Sequence, residues 1–179
     1  MHRHSLLTLL AAFRPTDDRV AAMHRQTIAF VEAHPACFER HLTVGHVTGS
    51  ALIVSPDRQQ VVLIHHRKLD RWFQPGGHCD GDPDVAAVAR REAEEETGLT
   101  SLKLLHTGIF DLDVHPIPAR GTEPAHLHYD IRFLFEGHPD EPFRATPETR
   151  DIRWVPCTDV HRYTESESVL RMISNLLLI

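Results

Sequence analysis

The nine residues "RREAEEETG", Arg90 to Gly98, include four glutamates: Glu92, Glu94, Glu95 and Glu96. Like charges this close on one helix repel by about a few tenths of a kcal/mol per i,i+4 pair. At about 100° per residue and with Glu92 as zero, Glu96 falls at roughly 40° and Glu95 at roughly −60°. Val85, Val88 and Ala89 fall on that same side, and Glu94 on the opposite one. An acidic run that only faced solvent would lie opposite the valines. Acids on the apolar side need partners there. Arg91 can reach Glu95 and Arg90 can reach Glu94, which leaves Glu92 and Glu96 short of cations. Convergent carboxylates with too few arginines suit a hard divalent cation such as Mg²⁺, which takes oxygen ligands and keeps several waters.

A helix over 83–97 must carry these groups. Asp82 is placed to cap it, with Pro83 at the first helical position, and Gly98 suits the left-handed position at its end. Gly76 and Gly77, just upstream, let backbone groups approach a ligand or metal closely. "VGHVTGSALIVS" (44–55) and "QVVLIHH" (60–66) read as a β-hairpin about the turn "PDRQ". The stretch "KLDRWFQPGGHCDGD" (68–82) reads as a long loop. Residues 102–115, 126–137 and 150–157 read as strands, and 166–179 as a closing helix. Residues 1–40 read as a helical arm, its second helix capped by Thr16 and stopped by Pro35. Residues 41–179 form the main domain. This mixed order predicts an α+β fold or an α/β sandwich, not a doubly wound parallel sheet.

The net charge of −6 argues against non-specific, charge-driven binding to nucleic acid. Three widely spaced cysteines without a CxxC motif fit a reduced, cytoplasmic setting. No apolar run approaches the roughly 20 residues of a membrane span. "SLLTLLAAF" lacks a small-x-small cleavage site, so it reads as a helix and not a signal segment.

Histidine is abundant, and "HLH" places His126 and His128 on one face of a strand. They could be a metal pair, a substrate contact or ordinary packing, and Asp130 shares their parity. In "HHRKLDRW", Arg67 and Arg71 suit a diphosphate anion, together with His65, His66 and Lys68; a solvated strand end is the competing reading. Trp72 and Phe73 read as core packing, with base stacking as the alternative. Cys79 reads as an inert thiol.

"GGHCDGDPDVAAVARREAEEETGL" resembles the Nudix box, G-x5-E-x7-R-E-U-x-E-E-x-G-U, where U is bulky and apolar. The match runs from Gly77 to Leu99. Arg91-Glu92 falls on R-E, Glu95-Glu96 on E-E and Gly98 on the second G. Pro83 stands where the lone glutamate belongs, flanked by Asp82 and Asp84, and Ala93 is small for the first U. The resemblance implies a Nudix α/β/α sandwich with a mixed sheet, preceded here by the helical arm. It implies Mg²⁺-dependent cleavage of a diphosphate bond in a nucleoside diphosphate linked to another group, with Mn²⁺ as a possible substitute. Gly77 (through its carbonyl), Glu92, Glu95 and Glu96 would hold the metal, and Arg91 would orient the glutamates. Glu92 is one candidate for the base. In many family members the base comes from a loop outside the box, and Glu123 in "RGTEPAH" is the candidate here, against its reading as a solvated loop acid. The partner would be a small nucleotide-type diphosphate, and a homodimer is open. The Pro83 departure motivates an alternative: a catalytically silent Nudix-fold module that binds nucleotide or regulates.

Overall fold

A computed structural model describes residues 2–144, 146–147 and 149–178. Two helices come first, α1 (His4–Ala12) and α2 (Asp18–Ala33). Strands β1 (Gly45–Val54), β2 (Gln60–His66), β3 (Arg71–Phe73) and β4 (Gly76–His78) follow, then helix α3 (Val85–Thr97). Strands β5 (Lys103–Leu104), β6 (Asp111–Ile117), β7 (His126–Glu136) and β8 (Thr149–Pro156) lead through a 3₁₀ turn to helix α4 (Glu167–Leu176). The cap of α2 is Asp17, whose carboxylate accepts the Val20 N–H, and not Thr16. The expected long loop over 68–82 contains β3 and β4; three-residue strands are too short to show a period in sequence.

All eight strands belong to one mixed sheet. Its centre is the parallel pair β1–β7, in register from Gly45–Leu127 to Val54–Glu136. Every residue of β1 is buried, as a central strand covered on both faces requires. On one face Val47, Ala51 and Ile53 of β1 and Ile131, Phe133 and Phe135 of β7 pack with α1, α2 and α3. On the other face Leu52, Val54 and Leu134 pack with Val169, Met172 and Ile173 of α4. The result is an α/β/α sandwich. The N-terminal helices share the first of these cores through Leu6, Leu10, Val20 and Phe30, and Phe30 stacks on Tyr129 with ring centroids 3.9 Å apart. Among the described residues, no helix is long and apolar enough to cross a membrane.

Two features of β1 shape what lies above it. The strand changes partner along its length: β4 pairs at Thr48–Ser50 and β2 at Val54. Its α4-side face also changes character. Below, the β1–β7 register sets Leu52 beside Leu134; above, it sets Ser50 beside Arg132, Thr48 beside Asp130 and His46 beside His128. Apolar packing ends there, and a polar wall begins.

Candidate active site

A cavity of about 1350 Å³ stands against this wall, lined from β1, β4, β7, α3 and the start of α4. Glu92, Glu95 and Glu96 all line it, with Gly76 and Gly77 opposite them on β4. Helix α3 is 13 residues long and starts at Val85. Its cap is Asp84, which accepts the Ala87 N–H; Asp82 instead accepts the Asp84 N–H, so the cap expected at Asp82 sits two residues later. Gly98 adopts the left-handed conformation at the helix end, with φ 78°.

The glutamates differ in depth. The buried stripe of α3 runs through Val88, Ala89, Ala93 and Thr97, so its centre is rotated away from Glu95. Glu92 is only 20% exposed and Glu95 63%. Arg91 joins them: its Nη2 donates to Glu92 Oε1 at 3.1 Å, and its Nε lies 3.8 Å from Glu95 Oε1. Glu92 therefore has a helix cation, contrary to the spacing argument. Arg90 does not turn to Glu94 in the same way; its guanidinium lies 5.5 Å over the Phe135 ring. Asp82 stands 3.8 Å from Arg91 and so supplies an acid beside the arginine where the box has Pro83. Burial pushes the Glu92 carboxyl above its ordinary pKa, against the opposing pull of Arg91. Glu96 Oε2 accepts the Gly76 N–H at 2.9 Å. A Cβ on Gly77 would overlap the Glu92 carboxylate, so only glycine lets that side chain lie against the β4 backbone.

Oxygen donors thus share one wall, Glu92 and Glu96 half-buried and Glu95 exposed, without being drawn tightly together. That is a donor set for a hard ion that retains waters. Among the described residues, the trio of candidate ligand atoms gathered within 4.8 Å of one another is a different one: His46, His78 and His128. His46 Nε2 lies 3.1 Å from His128 Nε2, and His126 Nε2 lies 3.3 Å from the same atom. Burial, followed by the neighbouring imidazoles, lowers His46 to about 4.

The other expected site residues divide. Arg71 lines the cavity, whereas exposed Arg67 donates to the Thr149 carbonyl and stands outside the lining. His128 lines the cavity; His126 is buried beside it, with Nδ1 against the Pro124 carbonyl. Glu123 is exposed, bridged to Arg120 in the loop between β6 and β7, and is not among the lining residues. Trp72 stacks on His65, away from the cavity, while Phe73 reaches it. Cys79 is buried, and burial raises its pKa, so it is an unreactive thiol.

Of a further group, only Asp130 is singled out by the sequence, through the parity it shares with His126 and His128. Arg132, 2% exposed, is gripped by Asp130 at 2.7 Å and Asp111 at 3.1 Å, and Arg171 of α4 binds Asp111 and Asp113. Asp130 also accepts from Thr48 and Ser50. This network forms the cavity floor and ties β1, β6 and β7 to α4. The period-two patterns "DLD" and "DIR" were its only sequence signal.

A NUDIX domain family model matches residues 45–176. The chain is 33% identical over 113 residues to the CMP-5'-(N-acetyl-N-hydroxy-3-aminopropyl)phosphonate hydrolase of Streptomyces rubellomurinus, covering 60% of this chain and 51% of that protein. It is 29% identical over 65 residues to a putative 8-oxo-dGTP diphosphatase of Bacillus subtilis, covering 36% of this chain and 44% of that one. The chain thus spans about half the length of the curated relatives it matches. The E. coli dihydroneopterin triphosphate pyrophosphohydrolase is similar in fold, with TM-score 0.59 and 18% identity over 74% of this chain and 94% of that one.

Proposed function

This chain belongs to the Nudix family, and we propose that it is a divalent-metal-dependent hydrolase of a diphosphate bond in a nucleoside diphosphate joined to another group. The observation that carries this reading is the shared cavity wall of Glu92, Glu95, Glu96 and Gly77. Both curated relatives are named for nucleotide-derived substrates, which supports the nucleotide end of the reading. In it, residues 41–179 form the hydrolase domain and residues 1–40 a helical arm upon it, and three free thiols suit a reducing compartment.

Glu92, Glu95, Glu96 and the Gly77 carbonyl would hold Mg²⁺, with Mn²⁺ as a substitute. A divalent ion held there would supply positive charge against the diphosphate oxygens and lower the pKa of the attacking water. Arg91 orients Glu92 and Glu95 through its two contacts and is itself backed by Asp82. Arg71 offers a guanidinium to the anion from another side of the cavity. Glu92, at the wall, takes the proton from water. Glu123 is the second candidate for this step, from an exposed loop position outside the cavity lining.

The test is a panel of nucleoside diphosphate derivatives with Mg²⁺ or Mn²⁺, products identified by mass. Turnover that collapses in Glu95→Gln and Glu96→Gln supports the proposal. The second reading, a silent nucleotide-binding module, is favoured by Pro83 in the box. It predicts nucleotide binding by calorimetry with no metal-dependent product on any member of the panel.

A further inference from the structure

The sheet register gathers imidazoles from four strands at the upper end of the polar wall. His46 of β1 faces His128 of β7, and His115 of β6 faces His128 from the other side. His78 of β4 comes from across β1, its ring centroid 5.0 Å from that of His46 and 5.1 Å from that of His128. His126 lies two residues along β7, on the same face as His128.

Three of these rings bring their Nε2 atoms together. His128 Nε2 faces His46 Nε2 at 3.1 Å and His126 Nε2 at 3.3 Å. It holds one proton at most, so it can make one good hydrogen bond to two neighbours. A cation shared by His46 and His128 replaces the first of these contacts, because each neutral ring then offers it a lone pair; the contact with His126 is outside the trio.

We infer that His46, His78 and His128 bind a divalent transition-metal ion of the zinc class, at a site separate from the box glutamates but inside the same cavity. The donor set selects the ion. Imidazole suits Zn²⁺, Ni²⁺, Cu²⁺ and Co²⁺, whereas Mg²⁺ prefers oxygen. Zn–N bonds of about 2.0–2.1 Å in a tetrahedron put ligand nitrogens roughly 3.3–3.4 Å apart. The 3.1 Å pair is close to that edge, and one nitrogen of each of the three rings lies within 4.8 Å of the others.

Ligand depth sets the open side. His46 is buried, while His78 and His128 stand on the cavity lining. Three protein ligands with the remaining position toward a cavity is the arrangement of a metal that meets substrate, and a closed fourth ligand would make it structural. The Pro124 carbonyl holds His126 Nδ1 at 2.9 Å, leaving its Nε2 as an acceptor beside the site. Asp113 Oδ2 pairs with His115 Nδ1 at 3.2 Å. These partners orient the rings that flank the trio, whereas the Nδ1 of His46 is buried without a hydrogen-bond partner.

This inference does not depend on hydrolysis or on the role of the glutamates, and its test reads neither. The full chain is stripped with chelator and titrated with Co²⁺ in excess Mg²⁺, following the visible absorption of four-coordinate cobalt, with Zn²⁺ as competitor. The expected result is one equivalent of Co²⁺ displaced by Zn²⁺, unchanged in Glu95→Gln and Glu96→Gln. Affinity should fall at least about tenfold in His128→Ala and His78→Ala. His46→Ala should behave alike; should that buried variant fail to fold, the two cavity-lining variants decide. Absence of a four-coordinate spectrum, or one abolished by the glutamate substitutions and retained by the histidine ones, would overturn the inference.

Discussion

Glu92 lies where a Gly77 side chain would have to be. Gly77→Ala should therefore push Glu92 off the wall and leave the helix in place. A displacement of about 1 Å costs on the order of 100-fold in rate; single-turnover hydrolysis should show that loss while the circular dichroism spectrum stays native. On the cavity floor, Asp113 sits at about 2, below its ordinary 3.8. Burial pushes it up, but the His115 hydrogen bond and the charges of Arg132 and Arg171 outweigh burial. The folded state thus holds this proton more weakly than the unfolded chain. Its contribution is complete above pH 3.8 and fades as pH falls through about 2. The linked stability is about 2 kcal/mol. Urea unfolding from pH 2 to 5 should show the gap between wild type and Asp113→Asn opening as pH rises through this window. A constant gap would mean that Asp113 does not carry it.

At the scale of elements, α3 is set by its cap. Asp84→Ala should cost about 1 kcal/mol of stability. Asp82→Ala should cost less in the same denaturant titration and more in turnover, because Asp82 stands beside Arg91. The box helix was legible because its spacing encodes a single element, with Gly98 marking its end. Its facing was only partly legible: small Ala93 and polar Thr97 carry the buried stripe, and a period count gives such residues little weight. His46 was missed because one histidine in an apolar strand reads as packing; only the β1–β7 register sets it against His128. The Asp111–Asp113–Arg132–Arg171 network was hidden for the same reason. Its partners are joined by strand pairing and by α4, across separations that local pattern does not report. Glu123 illustrates the converse: a loop acid is easily named from sequence, but loop geometry decides whether it reaches the cavity.

Across the whole molecule, the arm and the sheet share one core. Removing residues 1–40 would uncover Tyr129 and neighbouring apolar side chains that Phe30, Val20 and Leu10 cover. The truncated chain should melt at lower temperature and expose dye-binding apolar surface; an unchanged melting curve would show that the arm is energetically separate. Sheet, arm and α4 together hold a cavity with an oxygen-rich wall at α3 and a polar floor at β7, and the proposed reaction is hydrolysis of a diphosphate at that wall. Its most direct measurement is turnover of the nucleoside diphosphate panel in ¹⁸O-labelled water with Mg²⁺, read by mass spectrometry. The predicted result is a nucleotide or phosphate product bearing one ¹⁸O, formed by wild type and at least about 100-fold slower in Glu92→Gln. Turnover undiminished in Glu92→Gln, or no labelled product from any member of the panel, would contradict it.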